Sequence, residues 1–171
     1  MKFKGILLDL DQTLINSQKA LSLRKQRKWR EVYQIIPQLK PYPNVTSLLK
    51  YLNRQSIPIC VVTSSPRTYC ERVINYWDWN ITTIVCYHDT DRHKPYPDPI
   101  IKGYKDINLS PNEVASVGDS LKDIKAAKAA NVFSIGALWG SLEPTFIRES
   151  NPDLICEIPN ELINFIKNNL I

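Results

Sequence analysis

The sequence lacks several features that would place it in a specialised class of protein. No apolar run in its 171 residues approaches the length of a membrane-spanning helix, and the first residues predict a strand instead of a signal peptide. Internal repeats, low-complexity tracts and long linkers are also missing. From this length and pattern we expect a single cytoplasmic domain that has no membrane partner.

Cysteine and histidine are too few and too scattered to predict a zinc or redox site. No two cysteines have the C-x-x-C spacing, and most of them lie in apolar runs. His88 and His93 also lack a metal-ligand spacing, and we predict that they are loop residues. Four buried free thiols are therefore expected: Cys60, Cys70, Cys86 and Cys156.

Short apolar runs alternate with helical patterns along most of the chain. This alternation predicts parallel β-α units with right-handed crossovers, and therefore an α/β fold with a Rossmann-like, three-layer open parallel sheet. The predicted strands are residues 5–8, 57–62, 81–87, 114–117, 133–137 and 154–158. The predicted helices are residues 29–36, 43–52, 98–107, 121–130 and 159–170, with one more that begins at Pro66.

Two acids follow the first apolar run directly. The run from Gly5 to Leu8 does not alternate with polar residues, which is typical of a strand buried on both faces of a parallel sheet. Asp9 and Asp11 would then lie together at its carboxyl end. Because neighbouring buried carboxylates repel each other, keeping both ionised favours a bound divalent cation with oxygen ligands. Taken alone, the pair is equally typical of an ordinary acidic turn.

Polar side chains also follow other predicted strands. In an open parallel sheet, the carboxyl ends of the strands form the ligand crevice, so these side chains are expected to meet there. Any one of them alone would be unremarkable, because hydroxyl-rich turns commonly cap helices and loop lysines are usually solvated. The clusters are Asp9 with Asp11, Thr63 with Ser64 and Ser65, Lys94, and Asp119 with Asp123.

In order and spacing, these clusters resemble the four-part signature of haloacid dehalogenase-like hydrolases. The first part is the D-L-D-Q-T stretch that starts at Asp9, the second is Thr63 and the third is Lys94 with its proline. The fourth part is Asp119, preceded by glycine, with Asp123. The resemblance extends over residues 5–137 and implies phosphoryl-transfer chemistry.

The resemblance also implies a role for each matching residue. Asp9 would attack phosphorus and form an aspartyl-phosphate, while Asp11 would protonate the leaving oxygen and later deprotonate water. Thr63 and Ser64 would hold phosphate oxygens, and Lys94 would supply positive charge.

The cofactor that the resemblance implies is Mg²⁺. Its ligands would be the Asp9 carboxylate, the backbone carbonyl of Asp11 and the Asp119 carboxylate. Asp123 would orient Asp119 or Lys94, and direct binding of the ion by Asp123 is the less favoured alternative.

Asp11 distinguishes the branches of this family. A halide leaves without being protonated, so an acid at this position, followed by Thr13, is typical of phosphatases. A phosphotransferase or phosphomutase is the alternative with the same chemistry. A mutase usually excludes water with a large cap, whereas the insertion here is only residues 16–43, between core segments 1–15 and 44–171.

The insertion is basic and predicted to be helical. The chain carries a net charge of +5, and in this segment six basic residues precede its only acid, Glu31. One helical stripe runs from Trp29 and stops before Pro37, so we predict that Trp29 packs in the core.

The basic run between Arg24 and Arg30 is either a solvated helix face or a contact surface for an acidic substrate. The expected substrate is a phosphorylated small molecule or a nucleotide. An alternative of another class is a module that binds nucleic acid or a phosphoprotein on an idle scaffold.

Overall fold

The structure is a computed structural model that describes residues 2–169. Its strands, in chain order, are β1 (Gly5–Leu8), β2 (Ile15–Asn16), β3 (Lys40–Pro41), β4 (Ile59–Val62), β5 (Thr83–Val85), β6 (Val114–Gly118), β7 (Phe133–Ala137) and β8 (Leu154–Cys156). Its α-helices are α1 (Leu21–Lys25), α2 (Trp29–Ile35), α3 (Val45–Arg54), α4 (Arg67–Tyr76), α5 (Asp98–Asp106), α6 (Leu121–Ala129), α7 (Pro144–Glu149) and α8 (Pro159–Asn169).

Six of the strands form one parallel sheet in the order β5-β4-β1-β6-β7-β8. The chain proceeds outward from β1 through β4 to β5, and then crosses to the other side of β1 to form β6, β7 and β8. The strand order therefore reverses beside β1, and a ligand crevice is expected at the carboxyl end of this strand.

Both faces of the sheet are covered, which explains why its strands do not alternate between apolar and polar residues. Ile6 and Leu8 belong to one buried cluster together with residues of α3, α4 and α8. Leu7 points to the other face and packs in a second cluster with residues of α5 and α6. The predicted three-layer, Rossmann-like α/β fold is confirmed.

The segment between β1 and α3 leaves the sheet and returns to it through a small antiparallel pair. In this pair, Ile15 of β2 lies opposite Pro41 of β3. Between the two strands lie α2, which was predicted, and α1, which was not. Trp29 is partly buried and packs against the first core cluster, as predicted. The assignment of residues 16–43 as a separate cap stays a prediction.

Several predicted boundaries differ from the structure for identifiable reasons. The predicted strand 81–87 is reduced to β5, because the Cys86 amide donates to the Asp89 side chain at 2.6 Å and the chain turns there. The predicted strand 154–158 ends at Cys156, where the next amide, that of Glu157, donates to the Glu161 side chain at 2.6 Å.

Helix boundaries shift by one or two residues, and α7 was not predicted. The last residue of the predicted closing helix, Leu170, lies outside the described residues.

The four cysteines are free and buried, as the sequence predicts. Among the described residues, no helix has the length and apolar character that crossing a membrane requires.

Replacing Leu7 by alanine tests the double-faced burial of the central strand. The Leu7 side chain is 0% exposed, so Leu7→Ala should lower the free energy of unfolding by about 2–5 kcal/mol. Ile158 is 52% exposed, and Ile158→Ala should change it by less than about 0.5 kcal/mol. Urea unfolding of both variants measures the difference, and equal losses would contradict this account of the core.

Candidate active site

The predicted polar clusters meet at the carboxyl edge of the parallel sheet. Asp9 follows β1 and its amide donates to the Val117 carbonyl of β6 at 2.9 Å. The amide of Thr63, which follows β4, donates to the Val85 carbonyl of β5 at 2.9 Å. These strand-to-strand bonds position a cavity of about 430 Å³. Its lining includes Asp9, Asp11, Thr63, Ser64, Lys94, Asp119 and Asp123.

The buried ammonium group of Lys94 connects three parts of the chain. It donates to Asp9 Oδ1 at 2.8 Å, to the Val62 carbonyl at 3.0 Å, and to Asp123 Oδ1. Burial disfavours its charge, but the carboxylates of Asp123 and Asp9 outweigh this effect and raise the pKa of Lys94 above its usual value. Lys94 is therefore a fixed cation directly beside Asp9.

Three carboxylates crowd around this single cation. Oxygen atoms of Asp9, Asp119 and Asp123 all lie within 4.8 Å of one another. Burial, only partly offset by Lys94, raises the pKa of Asp9 to about 7. Burial and the charges of Asp9 and Asp123 raise the pKa of Asp119 to about 9. The cluster thus has more negative charge than its protein surroundings neutralise.

These residues fit a hard divalent cation. The donors are carboxylate oxygens, which Mg²⁺ prefers, and the raised pKa values of Asp9 and Asp119 show that additional positive charge would stabilise their ionised forms. Asp123 lies in the same group of carboxylates, although it is also paired with Lys94.

Hydrogen bonds hold Asp119 and Asp123 in place near the start of α6. Thr13 Oγ1 donates to Asp119 Oδ1 at 3.2 Å. Asp123 Oδ2 accepts from the amide and hydroxyl of Ser120 at 3.1 and 2.6 Å, which forms a capping box. Gly118 is required beside them, because a Cβ there would lie 2.3 Å from Cβ of Asp123.

Asp11 is buried, but its carboxylate does not belong to the group formed by the other acids. It forms an ion pair with Arg24 at 2.7 Å and accepts hydrogen bonds from Ser65 Oγ at 2.7 Å and Tyr69 Oη at 2.8 Å. Burial and the charge of Asp11 raise the pKa of Tyr69, so the phenol remains a donor.

Ser65 was expected at this edge of the sheet, whereas contacts of Arg24 and Tyr69 with Asp11 were not predicted. Ser65 belongs to the hydroxyl turn after β4, and Arg24 belongs to the basic run. Tyr69 shows only as an apolar position of a helix. The signal in the sequence was the hydroxyl group of Tyr69, because a tyrosine at a buried helix position usually needs a hydrogen-bond partner for its hydroxyl.

The two hydroxyl residues assigned to phosphate binding differ in exposure. Thr63 is buried, and its Oγ1 accepts from the Ser65 amide at 3.1 Å. Ser64 is exposed at the cavity. Both line the same space as Asp9.

The loop after β7 forms hydrogen bonds with the turn that carries Asp9 and Asp11. These hydrogen bonds were not predicted. The Trp139 indole donates to the Thr13 carbonyl at 3.0 Å, and Gln12 Nε2 donates to the Gly140 carbonyl at 3.3 Å. A Cβ at position 140 would lie 2.0 Å from the Gln12 carbonyl oxygen, so only glycine fits there. Glu143 then accepts from the Leu121 amide at 2.7 Å, at the start of α6.

Outside this cavity, His93 stacks on Tyr87 with ring centroids 3.8 Å apart. Among the described residues neither histidine belongs to the acidic group, and their assignment as loop residues without a metal role stays a prediction.

Comparisons with known proteins point to one family. The sequence profile described as "Haloacid dehalogenase-like hydrolase" matches residues 21–137. The chain is 33% identical over 134 residues to "Putative pyrophosphatase PpaX" of Clostridium perfringens (strain 13 / Type A), covering 75% of this chain and 61% of that protein. It is 30% identical over 124 residues to phosphoglycolate phosphatase of Escherichia coli (strain K12), covering 71% of this chain and 49% of that protein.

The chain therefore spans about half to three fifths of the length of these curated relatives. A solved structure of a hydrolase from Pseudomonas syringae has a TM-score of 0.81 with this chain at 19% identity. It covers 98% of this chain and 100% of its own. At this identity the likeness shows the shared fold.

The crowding of the acids predicts that cation binding depends on pH. Because the pKa values of Asp9 and Asp119 are raised to about 7 and about 9, binding must displace protons at neutral pH. The affinity for Mg²⁺ should therefore rise by at least about tenfold between pH 6 and pH 8. Calorimetry in two buffers of different ionisation enthalpy measures both the affinity and the protons released.

Asp119→Asn is the matched variant for this experiment, since it removes one charge at nearly constant size. It should weaken Mg²⁺ binding and reduce the number of protons released. An affinity that does not change over this pH range would show that the acids do not hold the ion.

Proposed function

Since the chain belongs to the haloacid dehalogenase-like hydrolase family, we propose that it is a Mg²⁺-dependent phosphatase that hydrolyses phosphomonoesters through a phosphorylated Asp9. The observation that carries this proposal is the position of Asp9 in one cavity with Lys94, Thr63 and Asp119. Nucleophile, cationic groups and oxygen ligands for a metal ion are the parts that phosphoryl transfer needs.

Asp9 has the geometry of a nucleophile. Its Oδ1 is bound by Lys94 at 2.8 Å, and among residues 2–169 no hydrogen-bond donor contacts Oδ2. Oδ2 attacks phosphorus, the bond between phosphorus and the leaving oxygen breaks, and an acyl phosphate forms on Asp9. A water molecule then attacks phosphorus and releases the Asp9 carboxylate and inorganic phosphate.

Positive charge and hydrogen-bond donors surround the position of the phosphoryl group. Lys94 would neutralise charge on it, and the hydroxyls of Thr63 and Ser64 would bind its oxygens. Asp9, Asp119 and the backbone carbonyl of Asp11 would hold Mg²⁺. When bound, Mg²⁺ would supply the positive charge that lets an anionic carboxylate approach an anionic phosphate. Asp123 would keep Lys94 in place through their ion pair.

Asp11 is the proposed general acid and base. It would give a proton to the leaving oxygen in the first step and accept one from water in the second. Its carboxyl group must turn toward the cavity for this transfer, so the contacts with Arg24, Ser65 and Tyr69 have to be exchanged during the reaction.

The relatives' names favour a small substrate, and the small insertion favours hydrolysis over a mutase reaction. The two curated relatives are named as acting on phosphoglycolate and pyrophosphate. Residues 16–43 are a short insertion, which leaves the mouth of the cavity accessible to water and so favours a phosphatase over a mutase. A purely binding module would not require the buried cluster of Asp9, Lys94, Asp119 and Asp123, since burying charges is costly.

Replacing Asp9 by asparagine tests the covalent route. Asp9→Asn should abolish hydrolysis of p-nitrophenyl phosphate in the presence of Mg²⁺, a loss of at least about a thousandfold in kcat, because an amide cannot form the acyl phosphate. Asp78 is exposed and lies outside the cavity, so Asp78→Asn should retain full activity. Steady-state rates of the two variants give the comparison.

Retained activity in Asp9→Asn would disprove the proposed nucleophile. Asp11→Asn adds a second readout: alkyl phosphates should lose more rate than p-nitrophenyl phosphate, because p-nitrophenolate leaves without a proton. Equal losses for both kinds of substrate would contradict the acid role of Asp11.

A further inference from the structure

A second cavity adjoins the one that contains Asp9. Its volume is about 380 Å³, and it shares four lining residues with the first cavity. The shared residues are Leu21, Arg24, Lys25 and Ser64. The two cavities therefore adjoin at α1 and at the hydroxyl turn after β4.

The two cavities differ in charge. The first is lined by the acidic group of Asp9, Asp119 and Asp123. The second is lined by Arg24, Lys25 and Arg27, and by no acidic side chain among the residues that the structure describes. The second cavity is therefore suited to a negatively charged group that remains free of a metal ion.

Two of its cations are available to a ligand. Arg24 is already paired with Asp11 at 2.7 Å. By contrast, Lys25 and Arg27 are exposed, and within residues 2–169 neither has a carboxylate oxygen within 4.0 Å. Within residues 2–169, therefore, neither side chain forms an ion pair.

Several of the remaining lining residues are aromatic or apolar. Trp29 packs against Tyr69 with ring centroids 5.9 Å apart, and Tyr87 stacks on His93 at 3.8 Å. Pro66 also lines this cavity. Such walls suit the carbon skeleton of a small organic molecule, with its charged end at the cations.

We propose that the second cavity binds the leaving group of the substrate and that Lys25 and Arg27 recognise a second anionic group on it. This inference rests on the proposed phosphatase function. The preferred substrate is then a phosphomonoester with a phosphate or carboxylate at its far end. Lys25 and Arg27 determine specificity and take no part in bond breaking.

Two substrates that differ only at the far end test this inference. Butane-1,4-diol bisphosphate carries a second phosphate, and 4-hydroxybutyl phosphate carries a hydroxyl in its place. The wild-type protein should have a kcat/KM at least about fivefold higher for the bisphosphate, after allowing for its two equivalent phosphates. Added salt should reduce this preference, since exposed charges are screened.

The double variant Lys25→Met/Arg27→Met should remove the preference mainly through KM. Basal activity is compared in the single variant Arg27→Met, because Arg27 lines only the second cavity. This variant should hydrolyse 4-hydroxybutyl phosphate within about twofold of the wild-type rate, since that substrate has no second anion to bind. Lys105→Met/Lys125→Met is the matched control. It removes the same charge from exposed positions on α5 and α6 that line neither cavity, and it should keep the preference.

The possible outcomes separate the two proposals. An unchanged preference in the Lys25/Arg27 variant, or an equal loss for both substrates, would overturn the specificity role. Failure of the wild-type protein to hydrolyse either substrate would overturn the phosphatase function instead. In that case, calorimetric binding of the bisphosphate to Asp9→Asn, with and without the Lys25/Arg27 substitutions, would still decide whether the second cavity holds an anion.

Discussion

The buried ammonium group of Lys94 is the interaction on which the geometry of the site depends. It joins the end of β1 through Asp9, the end of β4 through the Val62 carbonyl, and the start of α6 through Asp123. An isolated charge of this kind would be expensive to bury, and it is stable here because all three of its donors are used. The same three contacts fix the separation of residues that lie far apart in the sequence.

This arrangement also explains why the proposed site would take an anionic substrate together with a cation. Burial raises the pKa values of Asp9 and Asp119, and one ammonium group cannot offset this effect together with the mutual repulsion of Asp9, Asp119 and Asp123, whose oxygens lie within 4.8 Å of one another. The parallel sheet can hold these mutually repelling carboxylates together because its strands are fixed by buried side chains on both faces. A rigid scaffold of this kind can keep repelling groups close together, which a mobile loop cannot do.

The sequence predicts those parts of the site that depend on local pattern. Unalternating apolar runs identify β1, β4 and β6, and the parallel topology then requires Asp9, Thr63 and Asp119 to meet at one edge. The contacts of Asp11 with Arg24 and Tyr69 were not predictable in this way, because they join segments without a shared periodicity. The strand ends at Val85 and Cys156 were also predicted wrongly, since side-chain acceptors just beyond them replace ladder hydrogen bonds without changing the apolar character of the run.

Two contacts connect the segment between β1 and α3 to the site. The pairing of Ile15 with Pro41 closes its base, and the ion pair of Arg24 with Asp11 holds its first helix against the cavity. Because the residues of both contacts are partly or fully buried, they restrict where the neighbouring Lys25 and Arg27 can lie relative to Asp9. In the proposed mechanism the chemistry would depend on the ends of the sheet strands, whereas recognition of the rest of the substrate would depend on α1 and the turn that follows it. Substitutions in that turn would then change which phosphomonoester is preferred and leave the acids and the lysine near phosphorus in place.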